Sequence, residues 1–128
     1  MKYRSSVPVV ATADVAATMS YYSSVLGFTE LFSFGRPLVY AGMHRDSAQL
    51  YISQDVELAD LIAERDLHPE IFLWVEDVDA WFAEHQRSGA KIVEEISDRP
   101  WDARQYVIED PNGYFIKVAQ PIDEVTDA

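Results

Sequence analysis

Val7-Pro-Val-Val-Ala-Thr-Ala-Asp14 and Glu70-Ile-Phe-Leu-Trp-Val-Glu-Asp77 are the two stretches whose comparison decides the fold. Each is an apolar-rich run that ends on an aspartate. A helical pattern and a terminating glycine follow in both cases: Leu26-Gly27-Phe28 in the first block, Ser88-Gly89-Ala90-Lys91 in the second. Asp14 and Asp77 stand 63 residues apart and Gly27 and Gly89 stand 62 apart, so the chain repeats one unit. An aspartate at that position accepts hydrogen bonds from the free amides of the first helical turn. Val15, Met19, Tyr22 and Leu26 recur at helical spacing, and Val78, Trp81, Phe82 and His85 repeat the stripe. Gly27 and Gly89 suit the left-handed position just past a helix end.

Beyond each glycine the pattern turns extended. The first half offers Phe28–Phe34, Leu38–Gly42 and Ser47–Ser53, and the second Lys91–Glu95, Arg104–Ile108 and Tyr114–Gln120. Asp110-Pro-Asn-Gly113 is a tight-turn signal between the last two, and His44-Arg45-Asp46 is its counterpart. Each half is therefore β-α-β-β-β, and the fold class is α+β. The expected division is a first module over 1–54, a connector with a short helix over 55–67, a second module over 68–120, and a frayed polar tail over 121–128. A unit with one helix over its sheet must bury the rest against its twin.

Composition narrows the function. Hydrophobic residues make up 48% of 128, enough for a core without staples. The absence of cysteine excludes disulfides and thiolate chemistry and is compatible with a reducing, cytoplasmic setting. The longest strongly apolar run, Ile71 to Val75, is too short to span a bilayer, so no membrane partner is expected. A net charge of −12 repels phosphate backbones and attracts cations, which argues against nucleic acid. There is no glycine-rich phosphate loop and no nucleophile elbow. Glu94-Glu95 reads as a solvated pair, and Asp77 and Asp79 as helix-start acids.

Four pieces together resemble the vicinal-oxygen-chelate superfamily of glyoxalases, bleomycin-resistance proteins and extradiol dioxygenases. They are Ser20-Tyr-Tyr-Ser-Ser-Val-Leu-Gly-Phe28, Val75-Glu-Asp-Val-Asp-Ala80, Arg99-Pro-Trp101 and Ile108-Glu-Asp-Pro-Asn-Gly-Tyr114. The resemblance implies two tandem βαβββ modules forming curved sheets around a cavity, and a homodimer with cavities near its interface. It also implies a divalent metal held by histidine and glutamate from four strand positions. Those positions carry over to Val7, Gln49, Glu70 and Lys117. Valine cannot ligate, and an ammonium group repels a cation where a carboxylate is required. No metal, cofactor or catalytic residue is therefore expected, and Glu70 and Lys117 are expected to form an ion pair across the vacated position. His44 and His85 lie away from the cavity strands. His68 shares a face with Glu70 by alternation, which leaves a displaced metal site as the enzymatic alternative.

With Glu70 facing the cavity, alternation brings Phe72 and Trp74 there and turns Ile71, Leu73 and Val75 toward the helix. Tyr51 joins Gln49, and Phe115 joins Lys117. Phe32, Phe34 and Tyr40 are further candidates. Trp101 matches a loop that lines the cavity in the resistance proteins, where glycine follows the tryptophan and Asp102 stands here. An aromatic cleft in an acidic chain suits a small, flat, cationic ligand. The expected function is metal-free sequestration of such a compound, of the antibiotic-resistance type. The alternatives are a metal-dependent enzyme around His68 and Glu70, and an inert dimerising relative with a filled cavity.

Overall fold

The computed structural model describes residues 1–125. The first half runs β1 (Val9–Thr12), α1 (Val15–Ser24), β2 (Thr29–Phe34), β3 (Tyr40–Arg45) and β4 (Ala48–Gln54). After α2 (Val56–Glu64) the pattern repeats as β5 (Glu70–Trp74), α3 (Val78–Arg87), β6 (Lys91–Arg99), β7 (Ala103–Glu109) and β8 (Phe115–Pro121). The sheets have matching orders, β1-β4-β3-β2 and β5-β8-β7-β6, with β1 and β5 parallel to their neighbours and the remaining pairs antiparallel. The two sheets do not close on each other. No helix among the described residues is long and apolar enough to cross a membrane.

Each helix covers one face of its own sheet, and the two helix-covered faces share one core. Val10, Ile52, Tyr106 and Val118 are fully buried in it, along with Val15 and Tyr22 of α1 and Val78 of α3. Ile71 is buried, and Leu73 and Val75 pack on the same core, as alternation requires. Gly27 and Gly89 both take positive φ, at 75° and 87°, and end their helices in the left-handed region that costs glycine nothing.

The two aspartates part company. Asp14 caps α1 by accepting from the Ala17 amide at 3.0 Å. Asp77 makes no side-chain cap and sits in the left-handed region at φ 56°, ψ 55°. The first amide of the helix, that of Val78, donates to Gln120 Oε1 at 3.1 Å. Asp79 also turns outward, where Arg104 grips it at 2.9 Å.

Other elements differ in their bounds. β6 runs past Glu95 to Arg99, held there by an ion pair between Arg99 Nη1 and Glu94 at 2.9 Å. β3 starts late, at Tyr40, and runs through His44, because the turn to β4 is carried by Asp46, at φ 50°, and Ser47. The expected loose tail begins with an ordered 3-10 turn, Ile122–Glu124. The Ile122 amide donates to the Asp102 carbonyl at 3.0 Å, and the Gln120 side chain donates to the Glu124 carbonyl. Residues 126–128 of that tail lie outside the described residues.

Asp110-Pro-Asn-Gly113 does more than turn the chain. Asp110 Oδ1 accepts from the Asn112 and Tyr114 amides, both at 2.9 Å, which builds the turn. Its Oδ2 accepts from the Tyr22 hydroxyl of α1 at 2.6 Å, 88 residues away in sequence. Asn112 Nδ2 donates to Thr18 Oγ1, and the Ala11 amide donates to the Tyr114 hydroxyl. Burial pushes the Asp110 carboxyl above its ordinary range, against the pull of its three hydrogen bonds. Burial likewise raises the Tyr22 hydroxyl well above its usual value, so it remains the donor. This network bolts the second module to the first.

Candidate functional site

The expected site residues come from the helix-free faces of the two sheets, and each face forms its own group. On the first sheet, Phe34 lies opposite Tyr40, and Phe32 and Tyr51 both lie opposite Gly42. The Phe32 ring stacks on Tyr40 with centroids 6.0 Å apart and meets Tyr51 edge-on at 5.3 Å. Gly42 makes this possible, because a Cβ there would overlap the Phe32 ring. Phe34 extends the group and is 70% exposed. Gln49 pairs with His44 on the same strands, two residues from Tyr51.

On the second sheet, Glu70, Phe72 and Trp74 alternate along β5, and Phe115 and Lys117 stand beside them on β8. Phe72 and Trp74 pack at 4.7 Å yet remain 44% and 62% exposed. The Lys117 Nζ to Glu70 Oε2 distance is 2.6 Å, so the expected ion pair forms. It lies on an open face rather than in a closed interior, since Glu70 keeps about half of its side chain in solvent. An exposed pair of this kind contributes on the order of 1 kcal/mol or less. His68 lies flat on Phe115 at 4.1 Å, with Nδ1 2.8 Å from the Gly113 carbonyl and Nε2 3.2 Å from Asp66. Both ring nitrogens are thus engaged by the protein.

Trp101 projects from the β6–β7 turn, exposed, with its indole N–H 3.3 Å from Gln105 Oε1. Asp102 takes φ 62°, so it adopts the left-handed geometry that a glycine after the tryptophan would supply. No aromatic pair or ion pair among the described residues joins the first-sheet group to the second. Within one chain the candidates form two platforms.

The residues at the four metal positions do not fit a metal. The helices begin 63 residues apart, at Val15 and Val78, which equates Val9 with Phe72. Val9 lies opposite Tyr51, and Phe72 opposite Lys117. The repeat's own symmetry therefore matches Tyr51, not Gln49, to Lys117. The donor set becomes valine, a phenol, one carboxylate and an ammonium group bonded to that carboxylate. No group of three His, Cys, Asp or Glu side chains able to hold a metal ion occurs among the described residues.

A cleft of about 510 Å3 opens elsewhere, between the modules on the helix-covered side. Ile108, Ile116 and Val118 lie beneath it, closed to solvent, the partly exposed Leu73 and Val75 line it, and Trp81 and His85 of α3 form one wall. Arg45 reaches in from the β3–β4 turn, with its guanidinium 4.3 Å above the Trp81 ring and 3.3 Å from the Leu26 carbonyl. Burial drives the His85 pKa down to about 4, and Arg45 adds to the effect against the pull of Glu84. His85 Nδ1 lies 2.6 Å from the Tyr106 hydroxyl, whose own pKa burial raises. The neutral imidazole accepts and the phenol donates.

The described residues thus form paired βαβββ modules, each with an open aromatic face on its sheet. The chain belongs to the Glyoxalase/Bleomycin resistance protein/Dioxygenase superfamily, whose family model matches residues 6–118. It is 26% identical, over 129 residues, to the uncharacterized protein Mb0911c of Mycobacterium bovis, covering 92% of this chain and 84% of that one. Among solved structures it resembles the bleomycin-binding protein of bleomycin-producing Streptomyces verticillus complexed with copper(II)-bleomycin. The TM-score is 0.75 at 24% identity, over 92% of this chain and 96% of that chain. TioX from Micromonospora sp. ML1 gives 0.72 at 20% identity, over 91% and 99% of the respective chains. A bleomycin resistance determinant encoded on the transposon Tn5 gives 0.77 at 16% identity, over 93% and 98%. These likenesses establish the fold.

Proposed function

We propose that this protein is a metal-free binding protein that sequesters a small, flat, cationic aromatic compound on the helix-free faces of its sheets. The observation that carries the reading is the pairing of exposed aromatic platforms with a lysine–glutamate pair where a metal's ligands would stand. Phe32, Tyr40 and Tyr51 offer ring faces and edges on one sheet, and Phe72 and Trp74 do so on the other. A stacked cation gains roughly 0.5–2 kcal/mol from each such ring. The acidic surface draws the same ligand in. Platforms this exposed suit closure by a second copy, which places the first-sheet group of one chain over the second-sheet group of its partner and makes two equivalent clefts. Bleomycin-type glycopeptides, bound by the structural relatives, are the first ligands to try. The exposure of Phe34, Phe72 and Trp74 weighs against a filled, inert cavity.

The test is a fluorescence titration of the tryptophans with bleomycin, alongside elemental analysis of the purified protein. Quenching at micromolar ligand, lost about tenfold or more in Trp74→Ala, is the expected result. Near-stoichiometric zinc, iron, nickel or manganese in the preparation would overturn the metal-free part. An unaltered titration curve up to millimolar bleomycin would remove that ligand class.

A further inference from the structure

The repeat's symmetry exposes an imbalance between the two sides of the module interface. On one side, α1 meets the β7–β8 turn, and the space is filled by Tyr22, Tyr114 and the bolted Asp110. On the other side, α3 meets the β3–β4 turn, and the position equivalent to Tyr22 is His85, 63 residues on. There Arg45 lies over Trp81 and the Ser88 hydroxyl donates to the Val25 carbonyl at 2.8 Å, and a cleft of about 510 Å3 remains. Leu73 and Val75 give it an apolar lining that is partly open to solvent. The volume is that of a small-ligand pocket.

The chemistry at the mouth selects a ligand class. Asp46, Glu76 and Asp77 line it, and none is held in an ion pair among the described residues. Asp77 is freed from helix capping by Gln120, so its carboxylate stays available. Against these three carboxylates stands one guanidinium, and Arg45 is already stacked on Trp81 and bonded to the Leu26 carbonyl. The mouth is net negative over an apolar lining. A carboxylate-bearing ligand is repelled, and an uncharged one gains nothing from the rim.

We infer that this interface cleft is a second binding site, separate from the helix-free faces, for a small amphiphilic amine. Its apolar body lies against the partly exposed Leu73, Val75 and Trp81, and its ammonium group lies at the rim with Glu76 and Asp77. The site opens beside the core-facing residues Leu73 and Val75, and Trp74 at the end of β5 is the one platform residue that also borders it.

A matched pair of probes tests this directly: 2-phenylethylamine and 3-phenylpropionate, which share an apolar body and differ in charge. Each is titrated into the full chain while the methyl resonances of Leu73 and Val75 are followed by carbon–proton correlation spectroscopy. The amine is expected to shift both and to bind about tenfold more tightly than the carboxylate. In the double variant Glu76→Gln, Asp77→Asn that preference falls to about twofold or less. Both residues are exposed, and asparagine tolerates the left-handed backbone, so the variant keeps its fold. Ala48→Phe, which fills the cleft from the β4 wall, should abolish the methyl shifts with either probe. The inference fails if millimolar amine leaves these methyls unmoved or if the carboxylate binds equally well. It fails also if the double variant keeps the full preference.

Discussion

His85 makes the stability of this protein acid-sensitive in a defined window. The imidazole is 5% exposed, its Nδ1 faces the Tyr106 hydroxyl at 2.6 Å, and burial holds its pKa near about 4. In the unfolded chain the same group titrates near its ordinary value of 6.5. Between those values the unfolded state binds a proton that the native state refuses. Stability is therefore intact above about pH 6.5 and falls as the pH drops toward 4, where the native state begins to accept the proton and the loss levels off. At pH 5 the unfolded imidazole is almost wholly protonated and the native one about one-tenth so, which amounts to about 2 kcal/mol. That is a substantial share of a typical net stability of roughly 5–15 kcal/mol. Urea unfolding followed by tryptophan fluorescence at pH 7.5 and pH 5.0 measures it. His85→Gln serves as the reference, because an amide oxygen can still accept from Tyr106 but does not titrate. The variant is expected to be less stable at pH 7.5, and the gap should narrow by about 2 kcal/mol at pH 5.0. The many carboxylates change both proteins alike and cancel in the comparison. A gap that stays constant to within about 0.5 kcal/mol would refute the reasoning, as would a His85 titration by NMR with its midpoint above pH 6.

Two further outcomes follow from single side chains. Tyr22→Phe removes the 2.6 Å donor to buried Asp110 and should cost about 1.5–3 kcal/mol in urea unfolding, since the carboxyl is left short of a partner inside the core. Gly42→Ala places a methyl group where the Phe32 ring lies, and should weaken bleomycin-type binding more than it lowers the unfolding midpoint, read by parallel titration and melting of the same preparation.

Most of the fold could be read from the sequence because duplication makes each half a check on the other. The strand–aspartate–helix–glycine order of Val7–Phe28 reappears in Glu70–Lys91, and the structure follows it element by element. The same symmetry misled at Asp77, where a long-range acceptor, Gln120, took the capping role that local sequence assigns to the aspartate. Period-two alternation sorted Phe72 and Trp74 from Ile71 and Leu73 correctly, since a half-covered sheet enforces it. It did not fix which fourth-strand residue matches Lys117, because that depends on pairing register, and Tyr51 rather than Gln49 emerged from the ladder. The bond from Tyr22 to Asp110 and the burial of His85 against Tyr106 were invisible for a related reason. Both depend on how the modules and helices dock, and Asp110 also satisfies every local rule for a turn residue. The signal in the sequence that points to them is the pairing of Tyr22 with His85 at equivalent places in the repeat, two polar aromatics on otherwise apolar stripes.

The Asp110 bolt has a mechanical consequence. One side of the module interface is pinned by the hydrogen bonds around Asp110, while the opposite side is held by a guanidinium lying on an indole and by the Ser88 hydroxyl donating to the Val25 carbonyl, beside an open cleft. A rotation of one half against the other that kept the Asp110 bonds would pivot there and open the cleft beside Arg45. A rotation of that kind swings the two aromatic platforms as the blades of a hinge swing, so whatever wedges the loose side also sets the angle at which the platforms face a visitor.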